Sequence, residues 1–116
     1  MDPSGLKWYT RIAKKTGPFS RWSIKTTVKW KVEKKKIKEV KVTQSRSYKF
    51  PTYVNREGYT RMIGQTEGAI ASYYHVSASF SPVWVIWKHT VNIKSNGKAW
   101  HWTASDVWGS VPNTIN

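Results

Sequence analysis

The chain has no cysteine, only six acidic residues, and no apolar run longer than Val83 to Trp87. Each shortage excludes something. Without cysteine there is neither a disulfide nor a thiolate metal site. Without about 18 consecutive apolar residues there is no membrane-spanning helix. The start, Met1-Asp2-Pro3-Ser4-Gly5, lacks the basic residues and apolar stretch of a signal peptide. Nucleotide and cofactor motifs are also missing, while Ser, Thr, Asn, Trp and Tyr are plentiful. The expectation is a mature extracellular protein whose leader has been removed, with the cytoplasm as the alternative.

The shortage of acid has the larger consequence, because twenty Lys and Arg leave a net charge of +14. The excess is concentrated: fifteen basic residues face three acidic ones before Phe50, and five face three from there on. Like charge gathered this way repels itself and points to a polyanion, whether nucleic acid, an anionic leaflet or a wall polymer. Fifteen of the twenty are lysine. Lysine suits diffuse attraction to lipid or teichoic acid better than the bidentate reading of phosphate or guanine that arginine performs.

Eight tryptophans are present: Trp8, Trp22, Trp30, Trp84, Trp87, Trp100, Trp102 and Trp108. Such rings suit membrane interfaces, stacked bases or sugars, and equally the core of a small β-protein. The length fits a single domain over 1–116, with 1–20 ambiguous between helical turn and strand, and 111–116 expected to be a frayed tail.

Residues 22–32 carry the clearest pattern. Trp22, Ile24, Thr26, Val28, Trp30 and Val32 alternate with Ser23, Lys25, Thr27, Lys29 and Lys31, the period of a half-buried strand. Val40 and Val42 resume the parity, so a hairpin with a five-residue loop, Glu33 to Ile37, would pair Trp30 with Val40 and Val28 with Val42. Lys25, Lys29, Lys31 and Lys41 would then share the outer face, with Lys34, Lys35 and Lys36 at its tip.

Asn96-Gly97 signals a two-residue type I′ turn. That closure would pair Ile93 with Trp100 and Val91 with Trp102, and would put His89 and His101 on opposite faces. Residues 69–80 alternate as a further strand ended by Pro82, whereas 55–68 reads as a loop or short irregular strand. The fold expected is all-β, a single small antiparallel sandwich or partly open barrel of about five to seven strands.

Catalytic parts are few. No HxH, HExxH, GxSxG or phosphate-binding glycine loop occurs. A basic ribonuclease would need a histidine beside Glu57 or Glu67, and nothing in the sequence puts one there. The expectation is a non-enzyme without metal or small-molecule cofactor.

Binding is the class favoured: a secreted cationic protein on the anionic bacterial envelope, membrane lipid or wall polymer, with antibacterial or membrane-perturbing action. Lys25, Lys29, Lys31, Lys34, Lys35, Lys36, Lys38 and Lys41 would supply the attraction, at about 1 kcal/mol each near an anionic surface, and Trp84, Trp87 and Tyr73 the aromatic anchors. The first alternative is a single-stranded nucleic-acid-binding β-domain, which requires aromatics and charge on one surface. The second is a structural or carbohydrate-binding module, with Tyr73, Tyr74, Trp100 and Trp102 stacking on sugars. An oligomeric β-pore strand at Ala69 to Phe80 is a further expectation of lower rank.

Overall fold

The computed structural model describes residues 5–81, 84–106 and 111–116. Among them are seven strands: β1 (Leu6–Thr16), β2 (Trp22–Glu33), β3 (Lys36–Tyr48), β4 (Thr52–Ile63), β5 (Glu67–Ala78), β6 (Val85–Lys94) and β7 (Ala99–Asp106). A 3-10 turn, Pro18–Ser20, joins the first two. Each strand pairs antiparallel with its sequence neighbour, in two separate sheets ordered β1-β2-β3 and β4-β5-β6-β7. They do not close into a barrel. The chain is thus all-β, and the ambiguous N-terminal segment is strand from Leu6 to Thr16.

Alternation dictates how the sheets pack. The even residues of β2 are buried from Trp22 to Val32, and their odd neighbours face out. One apolar cluster joins Ala13, Val28, Trp30 and Val32 to Ile70, Val91 and Ile93 of the other sheet. A second joins Trp22 and Ile24 to Val54 and Tyr74. The indole of Trp30 also donates to the carbonyl of Lys94, 2.9 Å away, so the largest buried ring leaves no polar atom stranded.

Between these clusters lies a polar contact. Thr26 Oγ1 is 2.9 Å from each of Ser72 Oγ, Tyr74 Oη and His89 Nδ1, and all four residues are fully buried. The Tyr74 hydroxyl donates to the Lys25 carbonyl at 2.6 Å, and the Gln44 amide donates to Ser72 Oγ at 2.7 Å. Burial raises the Tyr74 pKa, and it lowers that of His89 to about 4, helped by the charge of His101. A neutral imidazole with its proton on Nδ1 can donate to Thr26, which leaves Nε2 as a buried lone pair without a partner.

Two hairpins depart from what their residues suggest. In β2-β3 the pairs Trp30-Val40 and Val28-Val42 form as expected, but no five-residue loop exists. Glu33 pairs with Lys36 across a two-residue turn, Lys34-Lys35, whose φ values of 53° and 62° are those of a type I′ turn. Lys38 is the extra residue of a bulge between the pairs Lys31-Glu39 and Val32-Ile37, and it keeps both apolar sets on one face.

In β6-β7 the opposite correction applies. Asn96-Gly97 does not form a two-residue turn. Lys94 N donates to Lys98 O at 2.9 Å and Gly97 N to Lys94 O at 3.1 Å, closing a three-residue loop with Gly97 at φ 88°. Ile93 therefore pairs with Ala99 and Val91 with His101. A shift of one residue reverses every side chain of β7. Trp100 and Trp102 face outward, and His101 shares the inward face with His89.

The segment 55–68 is mostly strand, since β4 runs to Ile63 with an extra residue at Glu57-Gly58. The C-terminal tail, expected to fray, is held there. Ile115 exchanges both backbone hydrogen bonds with Tyr59, and Thr114 Oγ1 donates to the Glu57 carbonyl at 2.6 Å. β4 is an edge strand of its sheet, and the tail satisfies the outward backbone groups of Tyr59. Pro82 and Trp108 lie outside the described residues.

Candidate anionic-surface interface

The outer face of the three-stranded sheet follows directly from the register. Trp8, Thr10, Ile12 and Lys14 of β1 stand across from Lys31, Lys29, Thr27 and Lys25 of β2, and Lys29, Lys31 and Lys25 in turn face Lys41, Glu39 and Ser45 of β3. Lys25, Lys29, Lys31 and Lys41 share this face as the alternation implied. Lys14 joins them from β1, a strand whose sequence left its structure open.

Two cross-strand pairs on this face are lysine against lysine, Lys14 with Lys25 and Lys29 with Lys41. Directly opposed like charges destabilise a sheet, because their β-carbons stand only about 5 Å apart. Glu39 offsets part of the repulsion, lying 3.3 Å from the Lys31 ammonium and 3.8 Å from that of Lys41. Lys31 and Lys41 also lie over the ring of Trp8, at 5.9 and 5.1 Å from a centroid. Trp8 is 41% exposed, so this face combines a cation cluster with an accessible indole.

The remaining lysines of the expected set sit elsewhere. Lys34, Lys35 and Lys36 are exposed at the β2-β3 turn, at one end of a molecule 56 Å long, and Lys38 is exposed at the bulge. The carboxylate Glu67 is at that same end, across from Lys94, whereas His89 is sealed in the middle of the sandwich. His101 accepts a 2.9 Å hydrogen bond from Arg11 Nε, and its pKa is lowered by burial and by the Arg11 charge. No group of three His, Asp or Glu suited to a metal ion occurs among the described residues.

The aromatic anchors are not where the lysines are. Trp87 is half-buried on the inner face against Trp22, with ring centroids 5.4 Å apart and the Lys15 ammonium 5.5 Å above it. Trp84 packs against His75 at 5.1 Å. Tyr73 is half-buried on the outer face of the four-stranded sheet, and Tyr74 is buried and unable to stack on a sugar.

That second outer face has its own order. The register runs Met62, Ala69, Asn92, Trp100 across the sheet, and Thr60, Ala71, Thr90, Trp102 in the next row. Trp100 and Trp102 are 45% and 49% exposed, and Trp100 borders a shallow depression of about 480 Å³. The two outer faces thus differ in proportion: the three-stranded sheet carries the lysine cluster with Trp8, and the four-stranded sheet carries Trp100 and Trp102, with the Lys94 ammonium 5.5 Å from a Trp100 ring centroid.

Set against known protein families, curated proteins and solved structures, the chain matches none. The site therefore rests on its own geometry. Trp8 and Lys14 are the residues that strand alternation alone did not supply. Their signal was present in Leu6, Trp8, Thr10 and Ile12, but the same residues also suited a helical turn.

Proposed function

We propose that the protein binds the anionic bacterial envelope, and that the outer face of β1-β2-β3 makes the electrostatic contact. The observation that carries this is the pairing of Lys14 with Lys25 and of Lys29 with Lys41, like charges opposed on neighbouring strands. A polyanion lying on the face relieves that repulsion and gains about 1 kcal/mol per lysine. Lysine on a broad sheet, rather than arginine in a cleft, favours a surface or a flexible polymer over a ligand that must be read in detail.

A second reading, single-stranded nucleic acid, has one specific observation behind it. Trp8 stands beside Lys31 and Lys41, so a base could stack where phosphates are neutralised, as single-strand binders arrange. The larger share of exposed indole, Trp100 and Trp102, lies on the opposite side of the sandwich, which ranks this second.

Binding to phosphatidylglycerol vesicles, purified teichoic acid and single-stranded oligonucleotides at rising salt separates these readings. The envelope reading expects retention on the first two that weakens steeply with salt and is lost in Lys29→Glu/Lys41→Glu. Tighter binding to oligonucleotides, abolished by Trp8→Ala, would transfer the function to nucleic acid. Binding indifferent to both substitutions would reduce the lysines to a solubilising face.

A further inference from the structure

We infer that the end of the sandwich opposite the Lys34-Lys35 turn inserts into the interfacial layer of an anionic lipid bilayer through Phe19, Phe50 and Phe80. The chain has only three phenylalanines, and every one is at this end. They are 94%, 67% and 83% exposed. Phenylalanine at such exposure forfeits most of its burial energy. Phe50 and Phe80 touch, and Phe19 stands at the same end on a separate connection, so exposed apolar surface is gathered there as it is at interaction sites.

The connections are tied into one platform. Lys49 N donates to the Arg21 carbonyl, Thr52 N to that of Lys49 and Ser79 N to that of Pro51, each at 2.9 Å. Phe50 meets Phe80 edge-on with centroids 6.2 Å apart, and Tyr53 lies 6.5 Å from Phe50 and 5.8 Å from Tyr48. Phe19 is projected by a built turn. Its φ is 55°, a conformation costly for any residue with a β-carbon, and Gly17 beneath it lies so close to the Trp22 indole that no side chain would fit. The local backbone is strained to hold an apolar ring in solvent.

The chemistry around the rings selects lipid rather than a protein groove. Arg21, Arg46 and Lys49 are exposed at the same end, and the Arg46 guanidinium lies 5.9 Å from the Tyr48 ring centroid. Exposed phenyl rings, two tyrosines packed beside them and nearby cations are the residue types met at the interface of an anionic leaflet. The inference rests on the envelope reading and names lipid as its partner, but it uses different residues. The turn at Lys34 is twelve residues of strand from Trp22, about 40 Å away, far beyond the Debye length of about 8 Å. Insertion of this end therefore draws first on Arg21, Arg46 and Lys49, and keeps the Lys34-Lys35 turn out of the apolar layer even where the lysine face approaches the headgroups.

Because the chain has no cysteine, single thiols report position cleanly. Phe50→Cys and Lys35→Cys are each labelled with an environment-sensitive dye and mixed with vesicles of phosphatidylglycerol and phosphatidylcholine, with co-sedimentation followed in parallel. The expected result is a blue shift and brightening at position 50 and none at 35. Phe19→Ser/Phe50→Ser/Phe80→Ser should keep its melting midpoint and its binding to soluble teichoic acid. Its vesicle affinity at about 0.5 M salt, where charge is screened, should fall on the order of 100-fold. Sedimentation of the labelled protein without a shift at 50, or native affinity in the triple variant, overturns the inference and leaves the lysine face standing. Failure of the native protein to bind vesicles or teichoic acid at any salt overturns both.

Discussion

The hydroxyl of Thr26, on the three-stranded sheet, lies 2.9 Å from Nδ1 of His89, on the four-stranded sheet, between the two apolar clusters of the core. A cluster of this kind is costly when half satisfied and fixes the relation between sheets when satisfied. Thr26 has one proton to give and serves three neighbours, so its loss is felt by all of them.

Thr26→Val keeps the shape and removes the hydroxyl. The expected cost is about 1 to 3 kcal/mol, the penalty of leaving His89, Tyr74 and Ser72 without that partner. The midpoint of urea unfolding measures it, and an unchanged midpoint would show that the cluster contributes nothing to stability.

Acid should weaken the fold through His89. Its pKa in the folded state is about 4, below its ordinary value of 6.5, so between those values the unfolded chain takes up a proton that the folded chain refuses. Stability is then complete above about pH 6.5 and falls toward pH 4, by about 3 kcal/mol in total at 1.36 kcal/mol per unit. The lowered pKa of His101 acts in the same direction. Urea titrations at about pH 7 and about pH 4.5 decide the matter, since equal midpoints are incompatible with a neutral buried imidazole.

The turn at Lys34-Lys35 places two lysines at positive φ, where Asn-Gly is at ease and lysine is not. Lys34→Asn/Lys35→Gly should therefore raise stability by about 1 kcal/mol, or a few degrees in melting temperature. A lower melting temperature would mean that the turn is held in another conformation.

Gly97 stands at φ 88°, and a β-carbon there would run into the Tyr9 ring. Gly97→Ala should destabilise by at least about 1 kcal/mol, from backbone strain together with displacement of Tyr9. Tyr9 stacks on Trp30 at 5.6 Å, so the change should also alter the near-ultraviolet dichroism of the core.

Charge reversal at Lys29 and Lys41 should lower affinity for phosphatidylglycerol vesicles roughly 100-fold at low salt and little at high salt, given about 1 kcal/mol per lysine and screening beyond about 8 Å. Reversal of Lys34, Lys35 and Lys36 tests the other end of the molecule. A loss confined to that triple variant would shift the contact from the sheet face to the turn.

Residues 22–32 and 40–42 show how much alternation alone carries. A period of two leaves no freedom about which face of β2 is buried, and it fixes Trp30 opposite Val40 whatever the loop between them does. The lysine face was legible for the same reason. Asn96-Gly97 was not, because that dipeptide suits a two-residue turn and also the last two positions of a three-residue loop. Contacts from elsewhere distinguish them: Ser95 N donates to the Thr66 carbonyl, and Gly97 fits beneath Tyr9.

Net charge, the all-β class and the amphipathic lysine strand are properties of composition and local period, and the sequence by itself determined them. Which aromatic rings are exposed was decided by tertiary structure. A one-residue choice in the β6-β7 loop turned Trp100 and Trp102 outward, packing on Trp22 took Trp87 into the interface, and three connections far apart in sequence brought Phe19, Phe50 and Phe80 to one end. Strand period is written in neighbouring residues, whereas exposure depends on partners from distant segments.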